Sequence, residues 1–75
     1  MNIFKKFGLR IVKLRKAKKW SQEELAYHAD IHRNYLSDLE NGRRNPSLDV
    51  LVRLANALNI SLEFLLKGVF SPNDF

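Results

Sequence analysis

The chain has 75 residues, 45% of them hydrophobic, no cysteine, and a formal net charge of +5 from 13 Lys and Arg against 8 Asp and Glu. This is enough for one domain over residues 1–75 with a single small core, and it excludes disulfide staples and thiolate metal sites. The basic balance suggests an anionic partner, a nucleic acid or an anionic membrane surface, unless it is only a solvated exterior. No apolar run approaches the ~20 residues that span a bilayer, and no apolar segment follows the first lysines, so neither a membrane helix nor a signal peptide is expected. The expected location is the cytoplasm, and the start at Met1 fits a complete chain.

The hydrophobic pattern predicts an all-α five-helix bundle, with no strand-like alternation and no internal repeat. A first helix over roughly Ile3 to Lys18 carries Phe4, Phe7, Ile11 and Leu14 at spacings of three and four, one apolar stripe. Lys5, Lys6, Arg10, Lys13, Arg15, Lys16, Lys18 and Lys19 cover the rest. Ser21-Gln22-Glu23-Glu24 is a capping box that opens the second helix. Trp20 and Leu25 flank it as a hydrophobic staple, and Leu25, Ala26 and Ala29 face inward until the end near Ala29-Asp30. A short third helix over His32 to Glu40 has Leu36 and Leu39 inside and ends at Asn41-Gly42, a pair that tolerates left-handed backbone. Arg43-Arg44-Asn45-Pro46 is a basic loop. Ser47 caps a fourth helix with Leu48, Leu51, Leu54, Ala55 and Leu58, broken at Asn59-Ile60. Ser61 caps a short fifth helix with Leu62, Leu65 and Leu66 that ends at Lys67-Gly68. The tail from Val69 to Phe75 is expected to be irregular.

Two short helices joined by a turn of three or four residues form a helix-turn-helix, here at residues 21–40. Small Ala26 permits close approach, and Ile31 plugs the turn into the core. The third helix carries Arg33, Asn34 and Ser37 on the face away from Leu36 and Leu39. Those side chains suit the DNA major groove, where Arg matches the paired acceptors of guanine and Asn the donor–acceptor pair of adenine. Arg33 and Asn34 also stand in the first turn, the part of a recognition helix that meets base edges.

Ser21-Gln22-Glu23-Glu24-Leu25-Ala26, then Tyr35-Leu36-Ser37-Asp38-Leu39-Glu40-Asn41-Gly42, then Pro46-Ser47-Leu48 occur in an order and spacing that resembles the Cro/C1-type helix-turn-helix family, also called XRE. The resemblance covers about residues 7 to 67. In its small size and in His32-Arg33-Asn34-Tyr35-Leu36-Ser37 the chain looks most like the controller proteins of restriction-modification systems, and it is similar to the DNA-binding domains of lambdoid phage repressors. The resemblance implies a transcription regulator that binds a double-stranded operator as a homodimer, without cofactor or small-molecule ligand. It implies base contacts from Arg33, Asn34 and Ser37, and phosphate contacts from Gln22, Tyr35, Asn41, Arg43 and Arg44. It further implies a partly buried ion pair between Arg15 and Glu40. Trp20 departs from the small or aliphatic residue usual there and is expected to alter local packing only.

Other readings compete. Arg33 and Asn34 also suit a solvated helix face, Gln22 a cap-box filler, and the lysines of the first helix a solvated surface. His28 and His32 have the spacing of a metal pair on one helix, but a turn is expected between them and no third ligand is near. No nucleophile has a His and an acid beside it, and no Gly-rich phosphate loop is present, so an enzyme is not expected. Glu23 and Glu24 are assigned to the surface. Phe64, Leu66, Val69 and Phe70 are apolar positions that suit a dimer seam, or else local packing; Tyr27 likewise suits core or interface. The competing functional class is a protein-interaction module, such as an antitoxin or adaptor.

Overall fold

Each helix begins at a side chain that takes over an amide the helix itself leaves unsatisfied. In the computed structural model, which describes residues 2–70, five α-helices follow one another: α1 Ile3–Ala17, α2 Gln22–Ala29, α3 Arg33–Glu40, α4 Leu48–Leu58 and α5 Leu62–Leu65. Asn2 Oδ1 accepts from the Lys5 amide at 2.9 Å. Ser21 Oγ accepts from the Glu24 amide at 3.1 Å while the Glu24 carboxylate accepts from the Ser21 amide at 2.9 Å, completing the expected capping box. Ser47 and Ser61 accept from the Val50 and Phe64 amides at 3.2 and 3.0 Å.

The capping residue of α3 is His32, whose Nδ1 accepts from the Asn34 amide at 3.1 Å. The helix therefore starts at Arg33, one residue later than the pattern predicts. α5 is a single turn capped at Leu66, and residues 66–69 continue as a turn. Of the tail expected to be irregular, residues 71–75 lie outside the described residues, as does Met1.

Four helix ends share one backbone device. Lys19, Asp30, Gly42 and Asn59 are left-handed, with φ of 61°, 55°, 74° and 56°. The next residue donates its amide to a carbonyl five positions back: Trp20 to Arg15, Ile31 to Ala26, Arg43 to Asp38 and Ile60 to Ala55, at 2.9–3.2 Å. This closes the orphan carbonyls of each helix end. At three of these ends the residue after the turn is apolar and packs on the core: Trp20, Ile31 and Ile60.

The core consists of Phe7, Ile11, Leu25, Ala26, Ala29, Leu36, Leu39, Leu54, Ala55, Leu58, Leu65 and Val69. α3 lies against α1 and α2, α2 against α4, and α4 against α5. The expected stripe of α1 is half right in depth: Phe7 and Ile11 are buried, while Phe4 and Leu14 are half-buried. A Cβ on Gly8 would fall 2.5 Å from the Glu40 carbonyl oxygen and 2.6 Å from that of Leu39, so the approach of α1 to the end of α3 requires a glycine there.

Candidate nucleic-acid interface

The helix-turn-helix is tied to α1 by one buried ion pair. Arg15 on α1 donates to Glu40 through Nε at 2.7 Å and Nη2 at 3.0 Å, and its Nη1 donates to the Trp20 carbonyl at 2.9 Å. Gln22 Nε2 donates to the same Glu40 carboxylate at 2.8 Å. The side chains of Arg15 and Glu40 are 11% and 4% exposed, so a paired carboxylate with three donors ties α1, the start of α2 and the end of α3 together. The Gln22 amide keeps a second N–H.

α3 presents Arg33 and Asn34 to solvent, with Ser37 and Tyr35 half-buried. Arg33 is already in an ion pair: its Nε donates to Glu23 Oε1 on α2 at 2.9 Å. Beyond α3, Arg44 lies over the Tyr35 ring, 5.4 Å from its centroid. Arg44 and Arg43 both approach Asp38, at 3.4 and 3.9 Å. Asn41 caps α3 and donates Nδ2 to the Ser37 carbonyl at 2.8 Å. Arg43 also occupies the position that is apolar and half-buried at the other three helix ends, yet it is exposed. A cation displaced outward there, beside a second arginine, forms a basic edge that continues the exposed face of α3.

The residues expected at a dimer seam divide. Phe64, Leu66 and Phe70 are 45%, 36% and 56% exposed, whereas Val69 is 7% exposed and belongs to this chain's own core. The turn after α5 folds Val69 inward, so the expectation that it contributes to a seam is corrected to a core role. Tyr27 is exposed.

Several working residues carried no sequence signal of their own. Arg10, placed by the pattern only off the apolar stripe of the first helix, donates to the carbonyls of Phe64 and Leu65 at 2.6 and 3.3 Å and lies 4.8 Å from the Phe64 centroid, so it closes the end of α5 from α1. Arg53 donates to the Asp30 carbonyl at 2.9 Å, which fixes the turn of the motif to α4. Such contacts join residues far apart in the chain, and no local pattern announces them. The two histidines part company: His28 stacks on Trp20 with centroids 4.5 Å apart, and His32 serves as the cap of α3. No cluster of metal-ligating side chains occurs among the described residues.

Comparison with known proteins agrees with this arrangement. A helix-turn-helix family pattern matches residues 11–65. The control protein C.BamHI of Bacillus amyloliquefaciens is 42% identical over 66 residues, 87% of this chain and 82% of that protein. The immunity repressor of Bacillus phage phi105 is 46% identical over 55 residues; there the match spans 73% of this chain but 38% of the repressor. Among solved structures, the restriction-modification controller protein C.AhdI of Aeromonas hydrophila superposes with a TM-score of 0.81 at 44% identity, covering 83% of this chain and 94% of that one. C.Esp1396I bound to a 25 base pair operator site superposes with a TM-score of 0.81 at 28% identity, over 92% and 91% of the two chains. The chain belongs to the Cro/C1-type (XRE) helix-turn-helix family of DNA-binding transcription regulators.

Proposed function

We propose that this protein regulates transcription by seating α3 in the major groove of a near-palindromic operator as a homodimer, in the manner of a restriction-modification controller. The observation that carries the reading is the exposed first turn of α3, with Arg33 and Asn34 turned outward and a basic edge of Arg43 and Arg44 beyond it. Arg33, Asn34 and Ser37 read bases; Gln22, Tyr35, Asn41, Arg43 and Arg44 set the register on phosphates. Exposed ion pairs such as Arg44–Asp38 are worth about 0–1 kcal/mol, so a phosphate displaces the carboxylate at small cost. The near-complete overlap with C.BamHI and C.AhdI, in contrast to the partial overlap with the phage repressor, favours the controller class.

The protein works in the cytoplasm, as one domain over 1–75, without enzymatic activity or cofactor. No helix of the described residues is long and apolar enough to cross a membrane. Selection of bound duplexes from a random pool tests the function: enrichment of one two-fold-related sequence supports it. Retention that is absent on all DNA at low salt favours the protein-interaction module.

A further inference from the structure

We infer that Glu23 is a specificity-determining positioning residue, which aims the Arg33 guanidinium at a guanine and weakens its hold on every other surface. The inference rests on the proposed base-reading role of Arg33. Glu23 is the second residue of α2 and Arg33 the first of α3, so the carboxylate bridges the two helices of the motif at its DNA-facing end. The bond engages Arg33 Nε, at 2.9 Å from Glu23 Oε1. A guanidinium has five N–H donors. With Nε committed, the remaining edge is the Nη1–Nη2 fork, which matches the paired acceptors O6 and N7 of guanine.

The exposure of the pair decides what it is for. Arg33 and Glu23 are 54% and 68% exposed, and pairs in that setting add little to stability. What it does supply is orientation. A flexible side chain loses rotamer freedom when it binds, and a bond that already restricts it lowers that cost for the one geometry it favours. The same carboxylate is an exposed negative charge beside a residue assigned to DNA, so it repels the phosphates of DNA of any sequence. Glu23 therefore lowers affinity for random DNA and raises the ratio of specific to random binding, two effects that a purely structural residue would not produce together. Glu24, its neighbour, has its carboxylate turned back to the Ser21 amide in the capping box and does not share this role.

The test is a set of duplex titrations with the full chain, Glu23→Gln, Arg33→Ala and the double variant, on the selected operator and on scrambled DNA across a salt series. Thermal melts of each are run alongside. Glu23→Gln is expected to melt with the parent, bind scrambled DNA several-fold more tightly, and narrow the operator-to-scrambled ratio by about five- to tenfold, within the range of a bidentate base contact. In the Arg33→Ala background the same change should leave the ratio unaltered, because nothing remains to be aimed. A Glu23→Gln ratio equal to the parent's, with Arg33→Ala still narrowing it, overturns the inference and leaves the base-reading role intact. If Arg33→Ala itself leaves the ratio unchanged, it is the base-reading role that falls.

Discussion

Glu40 and Gly8 meet at the end of α3, where a side chain on Gly8 would strike the Glu40 backbone carbonyl. Glu40 is nearly sealed from solvent and takes three side-chain donors, two from Arg15 and one from Gln22. Glu40→Ala strands the Arg15 charge; removing one partner of such a pair costs about 3–5 kcal/mol, and a thermal melt should show the domain losing much of its stability. Gly8→Ala tests a contest between two effects. Helix propensity alone favours alanine by roughly 1 kcal/mol, but the new methyl would lie 2.5 Å from a backbone oxygen that no rotamer change can move. Overpacking of that kind costs about 1–3 kcal/mol, so the prediction is a lower melting temperature in spite of the better helix former. The Arg15–Glu40 pair was legible through the family resemblance alone; the Gly8 contact was not, because a glycine within a helical pattern does not say which backbone it admits.

At the scale of elements, the helix starts were readable and the helix ends only partly so. Ser21, Ser47 and Ser61 announce their caps by chemistry and spacing. His32 does not, because its ring nitrogen caps only in this local geometry. Asp30, Gly42 and Asn59 are residue types that tolerate left-handed backbone, but Lys19 is not, and its φ of 61° was invisible in the sequence. An ordinary L-residue in that conformation costs roughly 1–2 kcal/mol. Lys19→Gly should therefore raise stability by about 1 kcal/mol, and Asn59→Ala should lower it by a similar amount, both measurable by denaturant titration. If Lys19→Gly destabilises, the contact of Lys18 with Trp20 and the packing of Trp20 depend on the lysine at 19 in a way the turn alone does not explain.

At the scale of the whole molecule, the dimer and the operator are one claim. Phe64, Leu66 and Phe70 expose apolar surface around the end of α5, on an element that Arg10 fastens to α1. A seam there, closed by a two-fold axis, would set two copies of α3 about 34 Å apart, one turn of DNA. Sedimentation at tens of micromolar should give a two-chain species, and Phe64→Asp should shift it toward one chain while the fold survives. The sequence pointed to that cluster by its apolar residues on the fifth helix and its flank, but it could not separate Val69 from the rest, since its burial depends on how the turn after that one-turn helix folds.

The central claim is that α3 reads DNA while the loop after it holds DNA, and one pair of titrations tests it. Arg33→Ala and Arg44→Ala are each measured on operator and scrambled duplexes across a salt series. Arg33→Ala should lose about 1–3 kcal/mol on the operator and narrow its advantage over scrambled DNA. Arg44→Ala should weaken both duplexes alike and reduce the salt slope by about one unit per lost contact in each protomer. Exchange of these behaviours between the two variants would contradict the assignment of reading to α3, and unchanged binding in both would contradict DNA recognition by this surface altogether.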